Sequence, residues 1–498
     1  MTIKMLINAV EAEEYRVAIV KDGILDAFYI ESVSSEHIKR NIYKGIIERV
    51  EPSLQACFVN YGGERNGFLQ LSEVHPEYFS GREGEEHSGE QSNLRIEKVL
   101  KKGQEVLVQV LREMPGKKGA QLSTFLSFAS RFIVLTPGKT TGGVSKKIEE
   151  DKERQRLKSI MAEFKFPEGV GYIVRTAALK QNKKVLSRDV NRLLRMWKSI
   201  KKDVKDMPAL SLIHKEEDIC LRTLRDYFTG EIGEVLVDDK MTFIKVKDYM
   251  KIISPKHQRR VKLYKEKRPL FSHYEIEKQI EEIYSEKVPL KSGGSIVIDP
   301  TEALVAIDVN SGRGRLGKDV ETTAFNTNKE AAFEITRQLK LRDMGGLIVI
   351  DFIDMRDRGH NREIEKIVRD EVRTDQAKID VAGISKFGLM ELSRERLRPS
   401  LESKSYQTCP YCLGRGLVQS VESASLSFLR RIWMGASKKG VVQVKGELPV
   451  EVGTYLQNRK RKEISGFESR YGVDVTLEVN PSLPLGGGKL EFIKETSE

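Results

Sequence analysis

Apolar and polar positions alternate with a period of two through much of the first 112 residues. Arg16-Val17-Ala18-Ile19-Val20, the turn Lys21-Asp22-Gly23 and the apolar stretch from Ile24 to Ile30 read as a strand pair within residues 3–33. Denser strand text follows at 43–50, 55–61, 67–71 and 105–112. Gly62-Gly63 and Gly103 punctuate it, and short strands between glycine turns predict a small barrel. Residues 80–93 hold almost no apolar side chain and read as a flexible loop. From 125 to 215 the period is mixed, with strands at 131–135 and 172–176 and helices at 147–164 and 188–202. Residues 231–246 read as strands about the Asp238-Asp239 turn, and 273–284 as a helix. Beyond Gly294, strands rich in Val and Ile at 295–299, 303–309 and 346–353 alternate with a helix over 321–340, which predicts a layered α/β domain. A cysteine-bearing link at 408–416 and a small α/β unit at 420–498 complete the sequence.

A chain of 498 residues is too long for one core and points to about three domains. With 39 % apolar and 32 % charged residues, it reads as a folded, soluble multidomain protein. No apolar run approaches the roughly 20 residues of a membrane helix. The N-terminus lacks a signal peptide's apolar stretch and cleavage site, so a cytoplasmic protein is expected. The net charge of +12 is unevenly placed: residues 94–202 hold 26 Lys or Arg against 10 Asp or Glu, a surplus of 16, and the rest of the chain nets −4. A basic region on a slightly acidic body is the footprint of polyanion binding, although lysine-rich helices are also ordinary solvated faces.

Three groups of residues carry candidate chemistry. Two apolar strands end in acids, Leu304 to Asp308 and Leu347 to Asp351. In an α/β domain such strand ends gather at one edge of the sheet, where ligands bind. Two carboxylates held close together repel unless a cation lies between them, and Mg²⁺, which takes oxygen ligands and keeps several waters, suits such a pair. Asn310, two residues past Asp308, shares its face and can orient a carboxylate. Asp354, three past Asp351, faces the other way if the strand continues. The alternative is that these acids cap helices or bind lysines.

The second group is Cys409-Pro410-Tyr411-Cys412 followed by Gly414 and Gly416. The pair supplies half of a tetrahedral Zn²⁺ site, and Cys57 and Cys220 read as packing residues. The other half then comes from a second copy of the chain, giving an intersubunit Cys₄ zinc. The rival reading is a redox pair, but its cysteines should open a helix that the glycines would break. The third group is aromatic: Phe58, Tyr61 and Phe68 fall on barrel strands, with Lys118 after the last. That is a stacking platform with a phosphate contact, or else ordinary core.

On these segments the chain resembles the ribonuclease E/G family of endoribonucleases along nearly its whole length. Ala56 to Gly62 with Gly67-Phe68-Leu69 resembles the family's OB-fold RNA-binding module of the S1 kind. Ala306 to Ser311, Glu321 to Asn328, Gly346 to Met355 and Phe387-Gly388-Leu389 resemble its catalytic domain, and Cys409 to Gly416 its zinc link. The resemblance leans to the ribonuclease G branch, because the sequence ends at Glu498 without the long scaffold of ribonuclease E, and it favours a homodimer over a tetramer.

What the resemblance implies is specific. Asp308 and Asp351 hold the catalytic Mg²⁺, Asn310 positions a carboxylate, Phe58, Phe68 and Lys118 contact RNA, and Cys409 and Cys412 share Zn²⁺ between chains. Arg175 and Thr176, with the backbone from Ser130 to Val134, form a pocket for a five-prime monophosphate. The implied fold is multidomain α+β and α/β. It comprises an RNase H-like subdomain (1–35 and 221–284) interrupted by an OB-fold barrel (36–124) and a five-prime sensor (125–220). A DNase I-like catalytic domain (285–405), a zinc link (406–419) and a small α/β domain (420–498) follow. The implied activity is hydrolytic cleavage of single-stranded RNA to five-prime phosphate products, in rRNA processing and mRNA decay. Residues 80–93 read as an insertion relative to the family. A non-catalytic RNA-binding or ribosome-associated factor is the alternative.

Overall fold

A computed structural model describes residues 2–32, 38–79, 95–114, 119–312, 319–373, 375–396, 406–412 and 414–494. The chain divides into two compact units, Met1–Arg398 and Pro399–Glu498.

In the first unit, the hairpin Glu14–Lys21 and Ile24–Ser32 turns through Asp22 and Gly23, both at positive φ, which matches the twist of the strands it joins. Strand Ile3–Asn8 pairs antiparallel with Glu14–Lys21 and parallel with Ile232–Val237, so one sheet unites sequence about 230 residues apart. Helices Ile219–Tyr227 and Lys240–Ile253 bury Leu224, Val246, Tyr249 and Met250 against Met5, Ile7 and Val235. The expected second strand near the Asp238-Asp239 turn is instead the start of helix Lys240–Ile253. The Asp239 carboxylate accepts the Thr242 N–H at 2.6 Å as an N-cap, and Val246, Tyr249, Met250 and Ile253 recur at helical spacing.

Strands Ile42–Glu51, Ala56–Asn60, Gly67–Gln70, Gln121–Ser123 and Glu105–Arg112 form a closed barrel, because the last also pairs with the first. Alternate residues Ile47, Val59, Leu69, Val108 and Leu122 fill it, and Gly67 permits closure: a Cβ there would lie 2.4 Å from Leu122 Cδ1. Tyr61 belongs to this core, edge-on to Tyr43, and is not part of an outer platform. Strand Ser211–His214 joins the barrel sheet beside Ile42–Glu51.

A four-stranded sheet (Lys139–Val144, Val170–Val174, Ile133–Pro137, Phe128–Ala129) packs Leu135 and Val174 against Leu186, Val190 and Leu193 of helix Lys183–Asp206. That helix presents Lys and Arg on its other positions, so much of the basic surplus read from the sequence lies here.

The sheet that carries the paired acids has the order Lys287–Pro289, Ser295–Pro300, Leu304–Asn310, Gly346–Asp351, Leu389–Arg394, Ile379–Ile384. One face, with Ile296, Ile307, Val309, Ile348, Ile350 and Met390, is buried with Ala331, Ile335, Ile364 and Val368 of helices Val320–Arg342 and Arg358–Val372. The other face carries Asp308, Asn310 and Asp351, all exposed. In the second unit, helices Val421–Ala436, Val450–Arg459 and Arg461–Tyr471 accompany a three-stranded sheet.

Candidate functional site

Leu304–Asn310 and Gly346–Asp351 are adjacent parallel strands in which Asp308 pairs in register with Asp351. Neighbouring strands lie about 4.8 Å apart, so the two side chains rise together from one face. They occupy the open face near the strand ends rather than the sheet edge, because the other face is covered by helices. Asn310 Nδ2 donates to Asp308 Oδ2 at 2.6 Å, which fixes that carboxylate's orientation. Neither Asp308 nor Asp351 has a salt-bridge partner among the described residues, which argues against the lysine-binding alternative. Two exposed, unpaired carboxylates side by side, one steered by an amide, fit a hard cation that keeps part of its water shell. Among the described residues no third His, Cys, Asp or Glu joins them to make a larger cluster.

The strand ends at Asp351, so Asp354 lies on the following loop, exposed, and the facing rule for a continued strand does not apply to it. That loop is clamped from helix Val320–Arg342. Fully buried Asn328 donates from Nδ2 to the Ile353 carbonyl at 2.7 Å and accepts the Ile353 N–H at 3.0 Å. One turn-pair earlier, Glu321 accepts the N–H groups of Arg356 and Asp357 at 3.0 and 3.1 Å and contacts His360 Nδ1 at 3.0 Å. These donors hold the Glu321 carboxyl below its usual range. In the sequence, Glu321 and Asn328 belong to the stretch that resembles the family's catalytic domain, and their clamping role is visible only in the fold. The available signal was a polar Asn within an Ala-rich helical stripe, which must find partners when buried.

On the barrel, Phe58 and Phe68 are register partners, half-buried, with ring centroids 5.8 Å apart. Register places Arg49 beside Phe58, with its guanidinium 4.9 Å from that ring, and continues from Phe68 through Gln121 to Arg112. Two rings between two arginines form an outward row suited to stacking bases and contacting phosphates. Lys118 and the 80–93 segment lie outside the described residues.

Arg175 follows strand Val170–Val174, and its N–H bonds the Phe132 carbonyl at 2.8 Å. Its Nη1 donates to the Ser130 carbonyl at 2.8 Å and lies 2.7 Å from Asp226 Oδ1. Thr176 is exposed beside it, Ser130 is buried with its hydroxyl on Asp189, and Val134 pairs with Ile173 within the sheet. Arg175 and Ser130 are thus brought together, whereas Val134 sits farther along the strand. The partnership with Asp226 had no sequence signal of its own.

In the second unit, Cys409 is exposed and Cys412 partly so, with Gly414 and Gly416 at positive φ. Backbone N–H groups of Gly416 and Gly414 turn toward the Cys412 sulfur and, with Cys409 beside it, hold its thiol below the ordinary value. This is a knuckle and not a helix start, since the next helix begins at Val421. Cys57 and Cys220 are buried, and burial pushes the Cys57 thiol up to about 12, so both pack as apolar residues. Cys220 lies on helix Ile219–Tyr227.

Comparison with known proteins adds three matching family profiles. S1 RNA binding domain matches residues 36–125, Ribonuclease E/G family 127–397, and RNase E/G, Thioredoxin-like domain 408–491. The chain belongs to the ribonuclease E/G family. It is 49 % identical to Ribonuclease E of Haemophilus influenzae over 96 % of its own length and 51 % of that protein, and 47 % identical to Ribonuclease E of Escherichia coli over 94 % and 44 %. With Ribonuclease G of Escherichia coli the identity is 36 % over 87 % of this chain and 88 % of that one. The chain spans about half the length of the Ribonuclease E relatives it matches. As a family member it combines an S1-type barrel with a ribonuclease E/G domain. Among the described residues no helix is long and apolar enough to cross a membrane.

Proposed function

We propose that the chain is a Mg²⁺-dependent hydrolytic endoribonuclease acting on single-stranded RNA, with a preference for five-prime-monophosphorylated ends, in rRNA processing and mRNA decay. The observation that carries this reading is the in-register, exposed and unpaired Asp308–Asp351 couple with Asn310 bonded to it. Asp308 and Asp351 hold Mg²⁺, and Asn310 keeps the Asp308 carboxylate in one orientation. Bound there, the ion supplies charge neutralisation at a phosphodiester oxygen and a more acidic water. The chain's own work is positional. The Phe58–Phe68 row stacks bases, Arg49 and Arg112 meet phosphates, and the clamped 352–357 loop keeps the Asp351 end of the sheet in place. In this reading the sheet built from residues 3–32 and 232–263 is RNase H-like, the sheet of the acids DNase I-like, and residues 125–220 the five-prime sensor. Cys409 and Cys412 provide half of a zinc site completed by a second copy, making a homodimer, with a tetramer as the larger alternative, in the cytoplasm.

The test is cleavage of a short oligonucleotide bearing a five-prime monophosphate or hydroxyl, with and without Mg²⁺, by the chain and by Asp308→Asn. The variant should still bind the RNA but cleave at least about 100-fold more slowly. Unchanged cleavage by Asp308→Asn would remove the metal assignment, and no cleavage by any form would favour a non-catalytic RNA-binding factor.

A further inference from the structure

The Arg175 guanidinium is committed along one side only. Nη1 meets both the Ser130 carbonyl and Asp226 Oδ1, while the Nε–Nη2 edge makes no hydrogen bond among the described residues, and the side chain stays one quarter exposed. A guanidinium has five N–H groups in a planar fork, so a full edge is left for a bidentate anion. Asp226 is itself gripped from behind. Arg225 donates to it through Nε and Nη2, each at 3.2 Å, and Arg225 is 3 % exposed. Arg225 is anchored in turn by Glu216, by the Ala129 carbonyl at 3.4 Å and by Glu217 at 3.5 Å. Glu217 takes the Tyr249 hydroxyl at 2.6 Å and Arg192 at 3.3 Å. The series thus runs from the Arg175 strand through helices Ile219–Tyr227, Lys240–Ile253 and Lys183–Asp206, and each member is fixed by the next.

A second observation points to an anion. Arg40 lies within electrostatic reach of Glu216, Arg225, Asp226 and Arg175. Arg40, Arg175, Arg192 and Arg225 are interleaved with the carboxylates Asp189, Glu216, Glu217 and Asp226. A phosphate arriving at Arg175 meets positive charge from Arg40 as well.

We infer that Asp226, held by Arg225, is a positioning residue for phosphate recognition: it locks the Nη1 side of Arg175 so that the Nε–Nη2 edge is presented to a terminal phosphate monoester. This deepens the proposed sensor and rests on that reading. A carboxylate beside an anion site subtracts attraction, so its value lies in fixing the fork, which an unheld arginine would lose to rotamer freedom.

The experiment measures kcat/KM on two RNAs that differ only in a five-prime monophosphate or hydroxyl, for Arg175→Ala, Asp226→Asn and the double variant. Asp226→Asn should reduce the monophosphate-to-hydroxyl ratio about tenfold, and should reduce it no further once Arg175 is alanine. A merely structural ion pair lowers both rates together and leaves the ratio unchanged, which would overturn the inference. If Arg175→Ala abolishes the preference while Asp226→Asn keeps it, the sensor stands and the positioning role falls. If Arg175→Ala keeps the preference, the sensor reading itself fails. Should Asp226→Asn not fold, as judged by circular dichroism, Asp226→Glu, which retains the charge but displaces it by one methylene, decides by the same ratio.

Discussion

Replacing Asn328 by alanine tests whether the loop after Asp351 is held from the neighbouring helix. The side chain is fully buried and satisfies two backbone groups of one residue, the Ile353 carbonyl at 2.7 Å and its N–H at 3.0 Å. Alanine leaves both groups without partners. An unsatisfied buried polar group costs about 1–3 kcal/mol, so the pair sums to about 2–6 kcal/mol, and local opening that admits water brings the expected loss to roughly 2–4 kcal/mol. At 1.36 kcal/mol per factor of ten, the Ile353 amide should exchange with solvent about 30- to 900-fold faster. Amide hydrogen exchange resolved at residues 351–357 makes the measurement, and it needs no global two-state transition, which a chain of several domains does not offer. Amides of the sheet's buried strands, such as Ile348 and Ile350, should keep their protection. The reasoning is refuted if Ile353 exchange accelerates less than about fivefold, or if the whole sheet loses protection equally.

Three further outcomes follow from the geometry. Phe58→Ala removes one of two register-paired rings from the barrel face and should weaken binding of single-stranded RNA about 5- to 100-fold by titration; equal affinity would return these rings to a packing role. Metal analysis should find one zinc per two chains, and Cys409→Ser should yield monomers in sedimentation, whereas a zinc-free native protein contradicts the shared site. Burial alone would raise the Asp226 carboxyl, but Arg225 and Arg175 hold it at about 2 against an ordinary 3.8. Its contribution, on the order of 2 kcal/mol, is therefore complete above pH 4 and is lost as pH falls toward 2. Asp226→Asn should flatten the pH dependence of local protection at the Arg175 amide, read by hydrogen exchange in that window, and an unaltered pH dependence would show that the pair is not formed.

Much of the architecture was legible because local periodicity and tertiary burial agree. Strand Leu304–Asn310 opens with four apolar residues and then turns Asp308 and Asn310 outward on alternate positions, and Asp308, Asn310 and Asp351 were accessible to reasoning because a polar residue ending an apolar strand breaks its pattern. The reading failed where the pattern was short. Residues 231–246 read as strands about Asp238-Asp239, and the first half is one, Ile232–Val237, whereas beyond the turn an Asp239 cap and apolar spacing of three and four make a helix. Tyr61 shows the limit of composition: it lies one residue past strand Ala56–Asn60, and only tertiary packing against Tyr43 places its ring inside.

The sequence by itself determined the family, the two acid-ended strands, the cysteine knuckle and the placement of charge, since each is carried by short local stretches of chain. Tertiary structure alone decided what depends on distant partners. It set Asp308 beside Asp351 across 43 positions, brought Asn328 to the Ile353 backbone and joined Arg175 to Asp226 from another sheet's helix. Side-chain partnership between remote segments is fixed by strand order and helix packing, and neither is written in the spacing of any one segment.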